Sequence, residues 1–561
     1  MPGVKPDHAR PGKPWERDRS FSGVATGVSP AVEPGILPGG TSPQIVRLFA
    51  IAEKPDVFSG RHDAVLYGSQ DGRRYARALF KLDFAHESHQ ILCVNPMNKR
   101  RQFQWLPVMV FVVIMLLASL MAGCARDERQ HRTSGAGLAD LRVGAAAVNF
   151  EADDSMILGG MIDGVKTSGQ EGALRAVAIV LAKSPHEKLA IVGCDVLMLT
   201  RDLLDPVMAE IERTTGVPKS HILVNATHTH HAPSTVTIHG YSRDERFCQI
   251  VQRGIVKAVQ EANAGLADSR FYFRLGQEPT VGQNSRRLLA DGTITWTRPH
   301  TNIVRETGPF DPDLPVLAFR DFAGKPQALI FNHSTHTIGT RQPAKRSPSF
   351  YGLAAQELEA ELGGTVCFLE GASGSTHNLS LSTHEMIQRI KAAVRATLNQ
   401  AEPRPVTRLA AIKRPFKFRV RTFDQAAEDE AVRSYCRKAM GNYADRCIEV
   451  FRLQREKLAP HRGEERETWL QVMLIGDVAI VGVPAEFFTK LGRDIKERSP
   501  FRHTFIAELA NDWIGYLPDL EAHKLGGYQT WTGLHSYAEA GTGERVVEEA
   551  VKMLNELRKA N

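Results

Sequence analysis

From residue 143 onward, short apolar runs alternate with segments in which apolar residues recur every three or four positions. That alternation predicts strands interleaved with amphipathic helices, the pattern of an α/β fold. Strands are predicted at 189–196 and 221–225, and helices at 202–213 and 249–264. Further strands at 271–275, 316–320 and 327–331 follow, the last two joined by a tight turn around Ala323-Gly324-Lys325, so antiparallel pairing enters the sheets. A helix at 351–362 stops at Gly363-Gly364, a C-capping signal, and a strand at 365–369 comes next. Beyond Pro403 the pattern gives a basic strand at 408–420, a charged helical region at 428–458 and a hairpin at 471–480 turning at Gly476-Asp477. Helices at 487–496 and 544–559 complete it. No repeat or composition break divides 141–561, so the expectation is one large α/β domain of mixed parallel and antiparallel sheets with flanking helices.

The first 140 residues follow a different pattern. Met97-Asn98-Lys99-Arg100-Arg101 is a basic start, 106–120 is an apolar core, and Met121-Ala122-Gly123-Cys124 resembles a bacterial lipobox. A membrane-spanning helix is the alternative, but Pro107 interrupts the run, which falls short of the roughly 20 apolar residues a span needs. The expected mature protein therefore begins at Cys124 with a diacylglycerol on its sulfur. It is an exported cell-envelope lipoprotein, anchored in a membrane and facing the periplasm or the outer surface, with a linker at 125–140. A secretory signal normally opens a protein, so residues 1–96 are read as an extension from a start called too early. If the extension is real, it is a cytoplasmic tail ahead of an uncleaved anchor.

The 70 basic and 63 acidic residues leave a net charge of +7 spread along the chain, with no Lys/Arg run interleaved with aromatics, so nucleic acid is not an expected partner. Of the seven cysteines, Cys93 and Cys124 lie in the leader. Cys194 and Cys367 sit in apolar runs as small core residues, while Cys436 and Cys447 could pair in an oxidising compartment.

Candidate chemistry gathers at strand ends. Asn225-Ala226-Thr227-His228-Thr229-His230-His231 follows the apolar run Ile222-Leu223-Val224, and two-residue spacing on a strand sends His228 and His230 to one cavity and His231 away from it. Phe331-Asn332-His333-Ser334-Thr335-His336 follows Ala328-Leu329-Ile330 in the same manner. Glu486 in Val483-Pro484-Ala485-Glu486-Phe487 and Tyr516 in 511–518 add a carboxylate and a phenol. Two neutral imidazoles and a carboxylate make a hydrolytic zinc shell. Each residue also has a plainer reading: core histidines, a carboxylate at a helix N-terminus for Glu486, a packed core aromatic for Tyr516.

Four motifs in this order, Asn-Ala-Thr-His-Thr-His at 225–230, Asn-Ser-Arg-Arg-Leu-Leu-Ala-Asp-Gly at 284–292, Gly-Pro-Phe-Asp-Pro-Asp at 308–313 and Val-Pro-Ala-Glu-Phe at 483–487, resemble the neutral, non-lysosomal ceramidase family over roughly residues 140–535. The resemblance implies that 141–561 is a neutral-ceramidase-type zinc hydrolase domain. It implies one zinc per chain held by His228, His333, Glu486 and Tyr516, with His230 hydrogen-bonding the zinc-bound oxygen or the substrate, Arg286 in the pocket, and His336 outside the ligand set. The activity implied is hydrolysis of a linear amide in an N-acyl lipid such as ceramide, or in a related small amphipathic N-acyl substrate.

Two departures change that expectation. The family's Gly-Asp-Val-Ser-Pro-Asn motif carries a serine needed for activity, and the corresponding stretch here is Gly371-Ala372-Ser373-Gly374-Ser375-Thr376-His377-Asn378. Anchored on Asn378, Thr376 takes the serine position and His377 the proline; anchored on Gly371, Gly374 takes it. Thr376 and His377 are thus open between a role at the zinc site and a plain loop role, and ceramide is in question as the substrate. The chain also ends soon after Tyr528, without the immunoglobulin-like domain that follows the catalytic domain in ceramidases, like the short ceramidase-like bacterial lipoproteins. The alternative function is a surface lipoprotein, silent or differently specific, that keeps the fold and the zinc site.

Overall fold

Arg175–Ser184 is an almost unbroken apolar run because both of its faces are buried. Ala176, Ala178 and Val180 enter one core cluster, while Val177, Ile179 and Leu181 enter another. This strand, β2, is the centre of a five-stranded sheet ordered β4-β3-β2-β1-β5, with β1 at Arg142–Asn149, β3 at Glu187–Cys194, β4 at Ile222–Ala226 and β5 at Ala267–Asp268. The structure, a computed structural model, describes residues 141–296, 301–378 and 381–559.

Helices α1 (Arg201–Thr215) and α2 (Glu245–Ala264) bury their apolar faces on one side of this sheet. A second sheet, ordered β12-β11-β10-β6-β14, is built from β6 (Arg270–Gln277), β10 (Asp313–Arg320), β11 (Pro326–His333), β12 (Thr365–Glu370) and β14 (Glu402–Arg404). Its outer face is covered by α3 (Ser349–Leu362) and α4 (Thr383–Asn399). The third sheet, ordered β15-β16-β17-β19, comprises β15 (Leu409–Arg419), β16 (Glu465–Ile475), β17 (Val478–Gly482) and β19 (His503–Ala507). It packs against α5 (Gln425–Ala439), α6 (Ala444–Leu458), α7 (Thr489–Arg498) and α9 (Thr542–Lys559), with the short α8 (Leu520–Leu525) between. Three two-stranded ladders remain: β7 (Gln283–Asn284) with β13 (Thr376–His377), β8 (Arg287–Leu289) with β9 (Ile303–Glu306), and β18 (Glu486–Phe487) with β20 (Tyr516–Leu517). The inner faces of the three large sheets meet in one core, through residues such as Ile179, Phe319, Ile330, Met473 and Ile480.

Each large sheet contains one parallel pair: β3 with β4, β11 with β12, and β17 with β19. Their carboxyl ends converge, because Asn225 at the end of β4 accepts from the Glu370 amide of β12 at 2.9 Å and donates to the Glu508 carbonyl after β19. Asn332 of β11 likewise donates to the carbonyls of Leu369 and Ile506. In open α/β sheets ligands bind beyond the carboxyl ends of the strands. Here six such ends face one place.

The predicted elements are present, and the differences lie in strands the pattern did not mark and in where some elements end. β1, β2 and β19 were not marked: β1 is half Gly and Ala, which weakens its strand signal, whereas β2 is a plain apolar run. The helical region at 428–458 is two helices broken at 440–443, and the strand predicted to reach residue 196 ends at Cys194. The lipobox, its signal segment, the linker and the 1–96 extension lie outside the described residues. No helix among the described residues is long and apolar enough to cross a membrane.

Candidate metal centre

His228 and His230 lie past the end of β4, and His228 has φ of 60°, so the chain has left extended geometry before it presents either ring. Both rings are nonetheless pinned. His228 places Nδ1 3.0 Å from the Leu197 carbonyl, and His230 places Nδ1 3.0 Å from the Gly160 carbonyl. Gly160 is needed for that approach: its φ is 97°, and a Cβ there would lie 2.5 Å from His230 Nδ1. His336, in the loop after β11, places Nδ1 2.9 Å from the carbonyl of Ser373.

A carbonyl only accepts, so each Nδ1 must carry the proton and each Nε2 is left with a lone pair. The three metal-facing nitrogens of His228, His230 and His336 lie within 4.8 Å of one another. Nε2 of His228 and Nε2 of His230 stand 3.3 Å apart with neither able to donate, so each lone pair needs a cation or an outside proton donor. Glu486 Oε2 is 3.5 Å from His228 Nε2 and 3.6 Å from His336 Nε2, and the Tyr516 hydroxyl donates to His336 Nε2 at 3.0 Å. Two ligands of one tetrahedral zinc, each about 2.0–2.2 Å from it, lie roughly 3.3–3.6 Å apart. Glu486 Oε2 stands at that spacing from both His228 Nε2 and His336 Nε2.

Glu486 and Tyr516 come together through the backbone: β18 and β20 pair in parallel with Glu486 opposite Tyr516. Trp513 donates its indole N–H to Glu486 Oε1 at 3.1 Å, which leaves Oε2 toward the histidines. Behind them, Glu508 accepts from the Ser373 hydroxyl at 2.6 Å, the Ser373 amide at 3.0 Å and the Phe487 amide at 2.6 Å. This carboxyl joins the loop that holds His336 to the strand that carries Glu486. Gly374 lets the two pack, since a Cβ there would lie 2.5 Å from the Glu486 carbonyl oxygen.

The electrostatics favour metal-ready protonation states. Burial, then the neighbouring His336, lowers the His228 imidazole to about 4, and burial with the surrounding imidazoles holds His230 well below its ordinary value. Burial would raise the Glu486 carboxyl, but the polar groups crowded around it, the imidazoles of His336 and His228 and the Tyr516 hydroxyl, favour its charged form and bring it to about 2. Burial and Glu486 keep Tyr516 a phenol far above neutral pH.

His333 is the correction. Its Nε2 lies 2.9 Å from the Glu278 carbonyl and its Nδ1 meets the Tyr351 hydroxyl, so both nitrogens of this fully buried ring are satisfied in the core. His336, read as outside the ligand set, occupies the place given to His333, because the chain turns after β11 ends. His231 faces away as expected, accepting from the Gly339 amide at 2.9 Å. Arg286 is 1% exposed, and its guanidinium donates to Gln529 and to the carbonyls of Ala522 and Gly526, holding the turn after α8. Thr376 donates to the carbonyls of Ser334 at 2.8 Å and Ser373 at 3.1 Å, on either side of the His336 loop. His377 stacks on His336 with ring centroids 5.9 Å apart. Trp513, Glu508 and Gly160 were missed; only Trp513 had a signal, lying in the same segment as Tyr516.

No protein-family model matches this chain, and no curated protein sequence matches it. Solved structures do. The neutral ceramidase from Pseudomonas aeruginosa aligns with a TM-score of 0.60 at 19% identity, covering 75% of each chain. A ceramidase complexed with C2 aligns with a TM-score of 0.59 at 17% identity, covering 75% of this chain and 76% of that one. Mixed sheets, flanking helices and the converging strand ends thus form, in this chain, the fold of the neutral ceramidases.

Proposed function

We propose that this protein is a zinc-dependent hydrolase of an amide bond in an N-acyl lipid or a related N-acyl compound. The observation that carries this reading is the set of three imidazoles with Nδ1 fixed by carbonyls and Nε2 turned inward beside Glu486 and Tyr516. His228, His336, Glu486 and Tyr516 would hold the ion, which supplies Lewis acidity to an otherwise poorly electrophilic amide carbonyl and to water.

His230 is the least buried residue of the three, which suits it to face a substrate. Its fixed tautomer offers a lone pair at Nε2, suited to accept a hydrogen bond from the attacking water and to return the proton to the leaving amine. Tyr516, a phenol through the neutral range, can donate to the oxygen that gains charge in the transition state.

A substrate other than ceramide is favoured by the replaced serine motif, since the Thr376 hydroxyl is already engaged by two backbone carbonyls. The lipobox adds a membrane tether at Cys124 on the exported side, which would bring the domain to amphipathic substrates. The test is a panel of N-acyl substrates, from ceramide to short acyl amides, assayed with zinc-loaded and chelator-treated protein. Metal-dependent release of fatty acid or amine supports the reading. A fully zinc-loaded protein that cleaves nothing on the panel leaves the silent, binding form.

A further inference from the structure

Cys436 lies one turn before the end of α5 and Cys447 one turn after the start of α6, symmetric about the short turn that joins these helices. Both thiols are free and fully buried, and they hydrogen-bond to each other. Elsewhere, Cys248 and Cys367 direct their thiols to backbone carbonyls.

We propose that Cys436 and Cys447 are a disulfide site, closed while the chain folds in an oxidising compartment. The compartment rests on the lipoprotein reading; the pairing rests on the facing thiols. In the reaction one thiolate attacks a disulfide of the oxidant, a dithiol oxidase or oxidised glutathione, and the second thiolate displaces it. One S–S bond forms in the protein, the oxidant's disulfide becomes two thiols, and the two protein thiols give up their protons.

The link would brace the wall behind the metal centre. Phe451 of α6 lies 5.3 Å from Trp531 and 6.0 Å from Tyr528, Tyr435 of α5 lies 5.3 Å from Trp531, and Tyr528 lies 5.7 Å from Tyr516. Glu428 of α5 also accepts from the Thr532 amide and hydroxyl, so the α5–α6 hairpin is tied to this aromatic segment.

The full chain, denatured and refolded in a buffer of reduced and oxidised glutathione, would be alkylated and digested with trypsin without reductant. Peptides 434–437 and 447–452 are expected as one linked species that separates on reduction. Recovery of the two peptides unlinked, or linked to other cysteines, overturns the proposal. As a second readout, reductant should lower the thermal midpoint of the oxidised wild type by roughly 5 °C or less and leave that of Cys436→Ala/Cys447→Ala unchanged. An equal shift in both proteins would place the effect at another bond and overturn the bracing role. Export is judged separately: the same peptide map on protein recovered from cells is expected to show the link, and its absence there after success in glutathione overturns the compartment alone.

Discussion

The indole N–H of Trp513 donates to Oε1 of Glu486 at 3.1 Å, and this contact decides which carboxylate oxygen faces the histidines. Outer partners of this kind typically contribute tenfold to a hundredfold in metal affinity. Trp513→Phe should therefore weaken zinc binding by about that factor in a competition titration against a chelator, while the fold is kept. An unchanged affinity would show that Glu486 needs no such support.

The exchange of His336 for His333 gives a direct contrast. Wild type is expected to hold about one equivalent of zinc. His336→Ala and His228→Ala should lose it, whereas His333→Gln, which keeps a donor for the Glu278 carbonyl, should retain it. Elemental analysis of the folded variants checks this. Zinc lost from His333→Gln and kept by His336→Ala would restore the assignment read from the sequence.

Protonation of His228 follows from its surroundings with a definite sign. Burial lowers the imidazole to about 4, and the Glu486 charge opposes that shift. In metal-free protein the ring should remain neutral as pH falls through about 6.5, where an unperturbed histidine would charge, and titrate near 4. Removing the opposing charge by Glu486→Gln should lower the midpoint further. Ring resonances of isotope-labelled histidine report it, and a midpoint near 6.5 would contradict the burial described above.

The three hydroxyls of the altered serine motif have separate structural partners: Thr376 the carbonyls of Ser334 and Ser373, Ser373 the Glu508 carboxyl, and Ser375 the Thr489 hydroxyl. Thr376→Ala should cost about 1–3 kcal/mol of stability and no more than roughly a hundredfold in turnover. Ser375→Ala should change little. Ser373→Ala removes a buried bond to Glu508 and should weaken zinc binding more than Ser375→Ala does. Complete loss of turnover in Thr376→Ala with zinc still bound would assign that hydroxyl to the chemistry.

For the lipobox, labelled palmitate is expected in wild type and absent from Cys124→Ser. Mature protein whose N-terminal sequence begins at Met1 would contradict processing at Cys124.

Sequence alone determined the layered α/β character, because strand and helix periods differ and strands buried on both faces read as continuous apolar runs. It also placed imidazoles, Glu486 and Tyr516 after apolar runs, where chain ends of strands gather. What only the tertiary structure decided lies past those strand ends. Two-residue alternation holds while φ stays extended; His228 is at φ 60° and His336 sits beyond the last residue of β11, so periodicity no longer says where either ring points. The choice between His333 and His336 was made by long-range partners, the Glu278 carbonyl and Tyr351 for one, the Ser373 carbonyl and Tyr516 for the other. Trp513, Glu508 and Gly160 act through contacts with Glu486, Ser373 and His230, which lie 27, 135 and 70 residues away along the chain, and no local pattern encodes a hydrogen bond between segments that distant.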